Sequence, residues 1–139
     1  MSIDPKLTGP LHSTLWSRFH NPRVLDFYAS LHEKGASSAE NWQPMVELIL
    51  RIRSMASSVR LFAFISRQQL YITTATGYVD SSGHDVISIG WDPWQQRFLI
   101  GYGSLDHDLG AHPAQQAQIG PEGVGEALAP WLARLMTAA

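Results

Sequence analysis

The stretch that decides the fold is ISIGWDPWQQRFLIGYG, residues 87–103, which places two tryptophans on either side of an Asp-Pro dipeptide. Asp and Pro are typical of the first two positions of a type I turn, so the chain is expected to reverse direction here. With residues 93–96 as a four-residue hairpin loop, Asp92 pairs with Arg97 and the flanking segments become antiparallel strands. No neighbouring register sorts the side chains so clearly by size, so the sequence predicts this hairpin.

The predicted register separates a large apolar face of the hairpin from a nearly bare one. The large face pairs Trp91 with Phe98, Ile89 with Ile100, and Ile87 with Tyr102. The bare face pairs Gly90 with Leu99, Ser88 with Gly101, and Val86 with Gly103. The large face is expected in the core. The bare face indicates a helix packed close against the sheet, which is the commoner cause, or a ligand or partner strand that approaches the backbone.

A second hairpin is predicted from two segments rich in aromatic and β-branched residues, VRLFAFIS at 59–66 and QLYITTAT at 69–76. Only the polar pair Arg67-Gln68 separates them. Because apolar side chains alternate onto both faces of these strands, we expect this hairpin at the centre of the sheet, covered on both sides. Its register is left open, since the link residues do not specify it.

Helical periodicity flanks these strands. Asn21 and the proline after it suit a helix start, and the following apolar spacing predicts a helix that ends near Gly35. A second helix is predicted to begin at Pro44 and to be largely buried, because most of its circumference is apolar. A last helix follows Gly120-Pro121, with a kink or a break at Pro130. A shorter helix is expected before Asn21, from Leu11, Leu15, Trp16 and Phe19.

This order of elements predicts a single α+β domain over residues 1–139: N-terminal helices, a four-stranded antiparallel sheet made of two hairpins, and a C-terminal helix. The polar segment SLDHDLGAHPAQQAQ, residues 104–118, is interpreted as a connection between the sheet and the last helix.

Composition narrows the classes of function. The chain has no cysteine, which excludes disulfides, thiolate nucleophiles and cysteine-bound metals. Its apolar runs are far shorter than a bilayer span, and MSIDPKLTGP lacks the pattern of a signal peptide, so we expect a cytoplasmic protein without membrane contact. The net charge is −2, and residues 68–139 hold seven acidic against two basic residues. Without a dense basic run, nucleic-acid binding is not expected.

The end of the predicted hairpin opposite its turn gathers histidines and aspartates. The group consists of His84, Asp85, Asp106, His107, Asp108 and His112. Such residues are able to bind a divalent metal, or to supply a general base with an orienting acid. They match no recognised metal-binding spacing, so we predict neither metal nor cofactor and keep the three histidines as weak candidate ligands. A third interpretation is an acidic patch, Asp85, Asp106 and Asp108, that meets a basic partner.

Trp94 is the other candidate contact. A residue at the tip of a turn is normally in solvent. Two interpretations stay open: the C-terminal helix or the N-terminal segment covers the indole, or the indole anchors a partner protein, a role in which tryptophan is enriched. No hydrolase or nucleotide-binding motif occurs, so catalysis is the less favoured alternative.

The segments VRLFAFISRQQLYITTATGYVD, 59–80, and VISIGWDPWQQRFLIGYG, 86–103, together resemble the sheet region of small bacterial immunity proteins. These are compact, cysteine-free α+β proteins that bind and neutralise a cognate toxin, and the resemblance implies such a partner without assigning particular residues. We therefore predict a non-enzymatic protein-binding domain that uses Trp94 and the acidic patch, in an oligomeric state left open. The alternative is a small-ligand-binding or metal-dependent enzyme that uses the histidine and aspartate group.

Overall fold

The computed structural model describes residues 16–35, 41–55, 61–76, 83–105 and 111–137. Within these ranges the chain forms six strands and three helices. In chain order they are β1 (Ser17–Arg18), α1 (Pro22–Gly35), α2 (Gln43–Met55), β2 (Phe62–Ser66), β3 (Gln69–Thr73), β4 (Asp85–Asp92), β5 (Arg97–Leu105), β6 (Ala111–Ile119) and α3 (Val124–Thr137). No helix in these ranges is long and apolar enough to cross a membrane.

The six strands form one antiparallel sheet whose spatial order, β1-β2-β3-β4-β5-β6, equals their order in the chain. The α+β class is confirmed, but the prediction of four strands is wrong. Both additional strands are edges: β1 pairs with β2 through Ser17 and Arg18, and β6 pairs with β5 over its length.

The two edge strands escaped prediction for different physical reasons. The β6 sequence, AHPAQQAQI, has no apolar alternation, and residues 114–118 are all exposed in the structure. This segment is a strand because its backbone pairs with the apolar strand β5. At β1, the helix expected before Asn21 is wrong for Trp16 and Phe19, which flank the strand. Leu11 and Leu15 lie outside the described residues.

The β4–β5 register predicted from the sequence is confirmed at every pair, from Asp92↔Arg97 to Val86↔Gly103. The β2–β3 hairpin, whose register had been left open, pairs Ser66 with Gln69 across a two-residue turn. Both turns lie at the same end of the sheet, which we call the turn end: residues 67–68 and 93–96. The opposite end, where β4 begins and β5 ends, is called the open end; about 25 Å separates the two, since β4 has eight residues.

Helix α1 begins after Asn21, as predicted, and α2 begins at Gln43, one residue before the predicted Pro44. The Asn21 side-chain oxygen accepts a hydrogen bond of 2.9 Å from the backbone nitrogen of Arg23, and Asn41 does the same for Gln43 at 3.1 Å. In α2 the residues Met45, Leu48, Ile49 and Ile52 are buried, whereas Leu50 and Met55 are exposed. Helix α3 continues through Pro130 as one element.

The helices cover one face of the sheet. Val24, Tyr28, Ile49, Leu128 and Leu132 belong to the main apolar cluster, together with the strand residues Ala63, Ile65, Ile72, Ile87, Ile89, Phe98 and Ile100. On the reverse face a smaller cluster contains Phe64, Val86 and Leu105, with Trp16 stacked on Phe64 at 4.9 Å. The β2–β3 hairpin therefore carries apolar side chains on both faces, as predicted.

Candidate functional site

Trp94 lies at the tip of the β4–β5 hairpin, and 69% of its surface is exposed. The structure therefore leaves the indole in solvent, and helix α3 does not cover it. The N-terminal segment, residues 1–15, lies outside the described residues. The prediction that Trp91 joins the core is confirmed, because only 7% of its surface is exposed.

The turn that carries Trp94 is held by its own hydrogen bonds. Asp92 Oδ1 accepts bonds from the backbone nitrogens of Trp94, at 2.9 Å, and Gln95, at 3.1 Å. The backbone nitrogen of Gln96 donates to the carbonyl oxygen of Asp92 at 2.9 Å, and its side-chain amide donates to that of Pro93 at 2.7 Å. These four bonds fix the loop, so the exposed indole projects from a preorganised support.

A cavity of about 270 Å³ opens at the turn end beside this hairpin. Three of the residues that line it are aromatic and almost fully buried: Trp42, Trp91 and Phe98. Its outer wall consists of exposed residues, namely Arg67, Gln68, Gln69, Gln95, Arg97, Leu99 and Gln118. The cavity therefore combines three buried aromatic residues with a larger number of exposed polar side chains.

The charge of this cavity is positive. Arg67 and Arg97 line it, and neither forms an ion pair within the described part of the chain. Asp92 is the one carboxylate among the lining residues, and its Oδ1 already accepts two backbone N–H groups of the turn. An anionic group that enters the cavity therefore meets two guanidinium groups and one carboxylate, a lining that is positive on balance.

The β2–β3 turn reaches the cavity in an uncommon conformation. Arg67 and Gln68 have φ angles of 54° and 67°, in the left-handed region where two-residue hairpin turns usually have Asn or Gly. The hydroxyl of Tyr28, on α1, donates a hydrogen bond of 3.0 Å to the carbonyl oxygen of Gln68. A tertiary contact thus supports a turn whose residues do not favour it.

Gly90 contributes only backbone to the cavity wall. A methyl group placed there would meet the Gln69 side chain at 3.6 Å and the Leu99 carbonyl oxygen at 3.8 Å, both ordinary contact distances. The expectation that a helix packs close to this position is therefore wrong at Gly90 within the described residues. The second interpretation of the bare face, access to the backbone, fits this position.

At the open end, Asp85 is engaged by its own sheet. The hydroxyl of Tyr102 donates a hydrogen bond of 2.6 Å to Asp85 Oδ2, and the Arg134 guanidinium lies 4.6 Å above the Tyr102 ring. Burial raises the pKa of Tyr102 well above its usual range, and the bond to the Asp85 carboxylate raises it further. Asp85 thus binds a tyrosine from the adjacent strand, so one of its two carboxylate oxygens already has a hydrogen-bond partner within the protein.

Of the other candidate site residues at the open end, the described part of the structure includes the side chain of His84 alone. His84 Nδ1 lies 3.2 Å from the hydroxyl of Thr74. Asp106, His107 and Asp108 lie outside the described residues, as does the side chain of His112, whose backbone pairs with Ser104. Among the residues that are described, no three His, Asp or Glu side chains come together as a metal site. The metal-site alternative and the acidic patch stay predictions.

Sequence reasoning missed the cavity and its arginines. Arg67 was interpreted as a link residue and Arg97 as the cross-strand partner of Asp92. Nothing local in the sequence shows that the turn at residues 67–68 stands next to the β4–β5 turn, because that neighbourhood depends on the β3–β4 pairing, Leu70↔Ile89. The one feature of the sequence that pointed to this cavity is the bare face of the hairpin at Gly90.

Comparison of the chain with protein-family models, with curated proteins and with solved structures finds no match in any of the three.

Proposed function

We propose that this protein is a non-enzymatic protein-binding domain that inserts the tip of its β4–β5 hairpin into a partner protein. The observation that carries the proposal is the exposure of Trp94, 69%, on a turn held by four hydrogen bonds. An indole in water leaves a large apolar surface unburied, and a partner pocket that removes it from water gains that free energy.

The rigidity of the turn supports the proposal independently of exposure. A flexible loop loses conformational freedom when it binds, and that loss offsets part of the contact energy. The Asp92 side chain already fixes the loop in the free protein. Tryptophans that become buried in an interface are frequent hot spots, whose truncation to alanine costs about 2–4 kcal/mol of binding free energy.

The surroundings of Trp94 extend the contact surface. Leu99, on β5, is 43% exposed, and the cavity lies next to the same hairpin. An aromatic tip, an exposed leucine and a recess lined by amide side chains give a partner both apolar and hydrogen-bonding contacts, as the centres of protein interfaces do.

The class of partner follows from the resemblance to immunity proteins. A toxin domain encoded beside this chain is the proposed partner, bound in the cytoplasm and neutralised by occlusion. Asp85 lies at the other end of β4 from the turn, so a contact through the acidic patch belongs to a separate part of the surface.

Co-purification from the native host tests the proposal. Tagged wild-type protein is expected to capture one protein at a constant ratio, and Trp94→Ala is expected to reduce its affinity at least tenfold, as loss of a hot spot does. Leu50→Ala is the matched control, because Leu50 is 49% exposed on helix α2, away from the turn end. It removes apolar surface without touching the hairpin and is expected to bind normally.

Two results overturn the proposal. One is that wild-type protein captures no protein beyond a tag-only control. The other is that Trp94→Ala and Leu50→Ala retain the partner equally, which would place the interface elsewhere.

A further inference from the structure

The β2–β3 turn, which lines the cavity at the turn end, contains residues that a two-residue turn does not favour. Arg67 and Gln68 both adopt left-handed backbone conformations, although Asn or Gly would adopt them more easily. Both residues line the cavity. Backbone conformations of this kind are concentrated at binding and catalytic sites, where the side chain matters more than the ease of the turn.

The charge balance of the cavity selects the kind of ligand. Its two cationic side chains, Arg67 and Arg97, have no ion-pair partner in the described residues, and they outnumber its one carboxylate, Asp92, whose Oδ1 is held by the turn. Guanidinium groups match carboxylate oxygens in geometry and form two parallel hydrogen bonds with them. The remaining polar groups are glutamine amides, which both donate and accept.

The size and floor of the cavity favour a side chain presented by another polypeptide. About 270 Å³ accommodates one or two side chains, and Gly90 lets an incoming group approach the backbone of β4. The aromatic wall of Trp42, Trp91 and Phe98 suits the methylene groups of such a side chain. Trp94 stands on the same hairpin, so one partner segment reaches both features.

We infer that this cavity binds an acidic side chain of the partner protein, with Arg67 and Arg97 as its cationic ligands and the Gly90 backbone as its floor. This inference rests on the proposed function and adds the chemistry of the partner: an acidic segment next to the pocket that receives Trp94. It reverses the charge expected from the sequence, which assigned the acidic role to this protein.

The test uses two capped peptides of equal length, Gly-Glu-Leu-Glu-Gly and Gly-Gln-Leu-Gln-Gly, titrated into the full chain and followed by NMR. The glutamate peptide is expected to shift the Gly90 amide and the Arg67 and Arg97 side-chain N–H signals with a Kd of about 1 mM, the weak affinity of a short fragment. The glutamine peptide is expected to bind at least about tenfold more weakly, because it forms no charge-assisted bonds. Added salt is expected to weaken the glutamate peptide selectively.

Three variants make the test specific. Arg97→Glu reverses one cation of the cavity, and Arg23→Glu, on the exposed start of α1, makes the same change in net charge elsewhere. Gly90→Val adds a side chain at the floor of the cavity; Gly90 has no positive φ, and the first side-chain carbon there meets no atom closer than 3.6 Å. Circular dichroism of this variant checks that it folds. Arg97→Glu and Gly90→Val are expected to bind the glutamate peptide at least tenfold more weakly than the wild type, whereas Arg23→Glu is expected to bind it with unchanged affinity.

The inference is overturned if both peptides bind equally, if neither shifts the cavity signals, or if Arg97→Glu binds as tightly as Arg23→Glu. Glutarate supplies two carboxylates without a polypeptide. If glutarate binds as tightly as the glutamate peptide, the inference that the acidic group belongs to a protein is overturned, and a small organic acid is the ligand. A native partner that is lost by Trp94→Ala but retained by Arg97→Glu and Gly90→Val would leave the proposed function standing and remove this inference alone.

Discussion

Trp91 and Trp94 stand three residues apart in one hairpin, yet 7% of the first and 69% of the second is exposed. Trp91 Nε1 donates a hydrogen bond of 2.7 Å to the carbonyl oxygen of Asn41, and its ring lies 4.6 Å from that of Phe98. One indole thus joins the sheet to the start of α2, while the other faces water.

Replacing each tryptophan by alanine is expected to separate these roles. Trp91→Ala removes a packed aromatic group and its hydrogen bond, so it should lower the free energy of unfolding by about 3–5 kcal/mol. Trp94→Ala changes a surface side chain and should stay within about 0.5 kcal/mol of the wild type. Urea unfolding followed by circular dichroism measures both. A loss of several kcal/mol for Trp94→Ala would assign that indole to the core and contradict its role as an anchor.

Asp92 is expected to control the order of the turn through its acceptor oxygen. Asp92→Ala removes both hydrogen bonds to the backbone of Trp94 and Gln95 and should cost about 1 kcal/mol of stability. Hydrogen exchange at those two amides should speed up. Asp92→Asn keeps an acceptor oxygen at the same place and should behave almost as the wild type. Equal exchange rates in all three proteins would show that the side chain does not hold the turn.

The β2–β3 turn is expected to be more stable with ordinary turn residues. The double variant Arg67→Asn, Gln68→Gly places favourable residues at both left-handed positions, and it should raise the free energy of unfolding by about 1 kcal/mol or more. The same variant should bind the glutamate peptide less well, because it removes one of the two cations. A variant that is no more stable than the wild type would mean that the native turn stores no strain.

Alkaline pH is expected to destabilise the fold through its tyrosines. Burial raises the pKa of Tyr28 well above its ordinary value, and it also raises the pKa of Tyr71 and Tyr102. In the unfolded chain a tyrosine ionises near about pH 10, so the stabilising contribution is complete below that pH and is lost as the pH rises above it. The slope from Tyr28 is at most about 1.4 kcal/mol per pH unit.

Urea unfolding at a series of pH values checks this expectation. The free energy of unfolding should fall above about pH 10, and Tyr28→Phe should make that fall less steep. Tyr28→Phe also loses the hydrogen bond to the Gln68 carbonyl oxygen, so it should be slightly less stable at neutral pH. Stability that is constant or rising above pH 10 would contradict the raised pKa values.

The sequence predicted what depends on local pattern. The Asp-Pro turn and the size contrast between faces determined the β4–β5 register, and Asn21 marked the start of α1. What it missed depends on tertiary pairing. Strand β6 is polar, its residues 114–118 are exposed, and its backbone bonds to β5 define it. The cavity, likewise, exists because β3 pairs with β4 and brings two turns together.

Helix α3 has a consequence for how the chain is synthesised. It packs on β4 and α2, and Leu128, Leu132 and Leu135 complete the main apolar cluster. Strands that are neighbours in sequence can pair as soon as each hairpin has left the ribosome, so the sheet is able to assemble early. Until residues 124–137 fold against them, however, the surfaces of β4 and α2 that this helix contacts stay uncovered. A chain that stops before this helix is therefore expected to expose apolar surface and to aggregate.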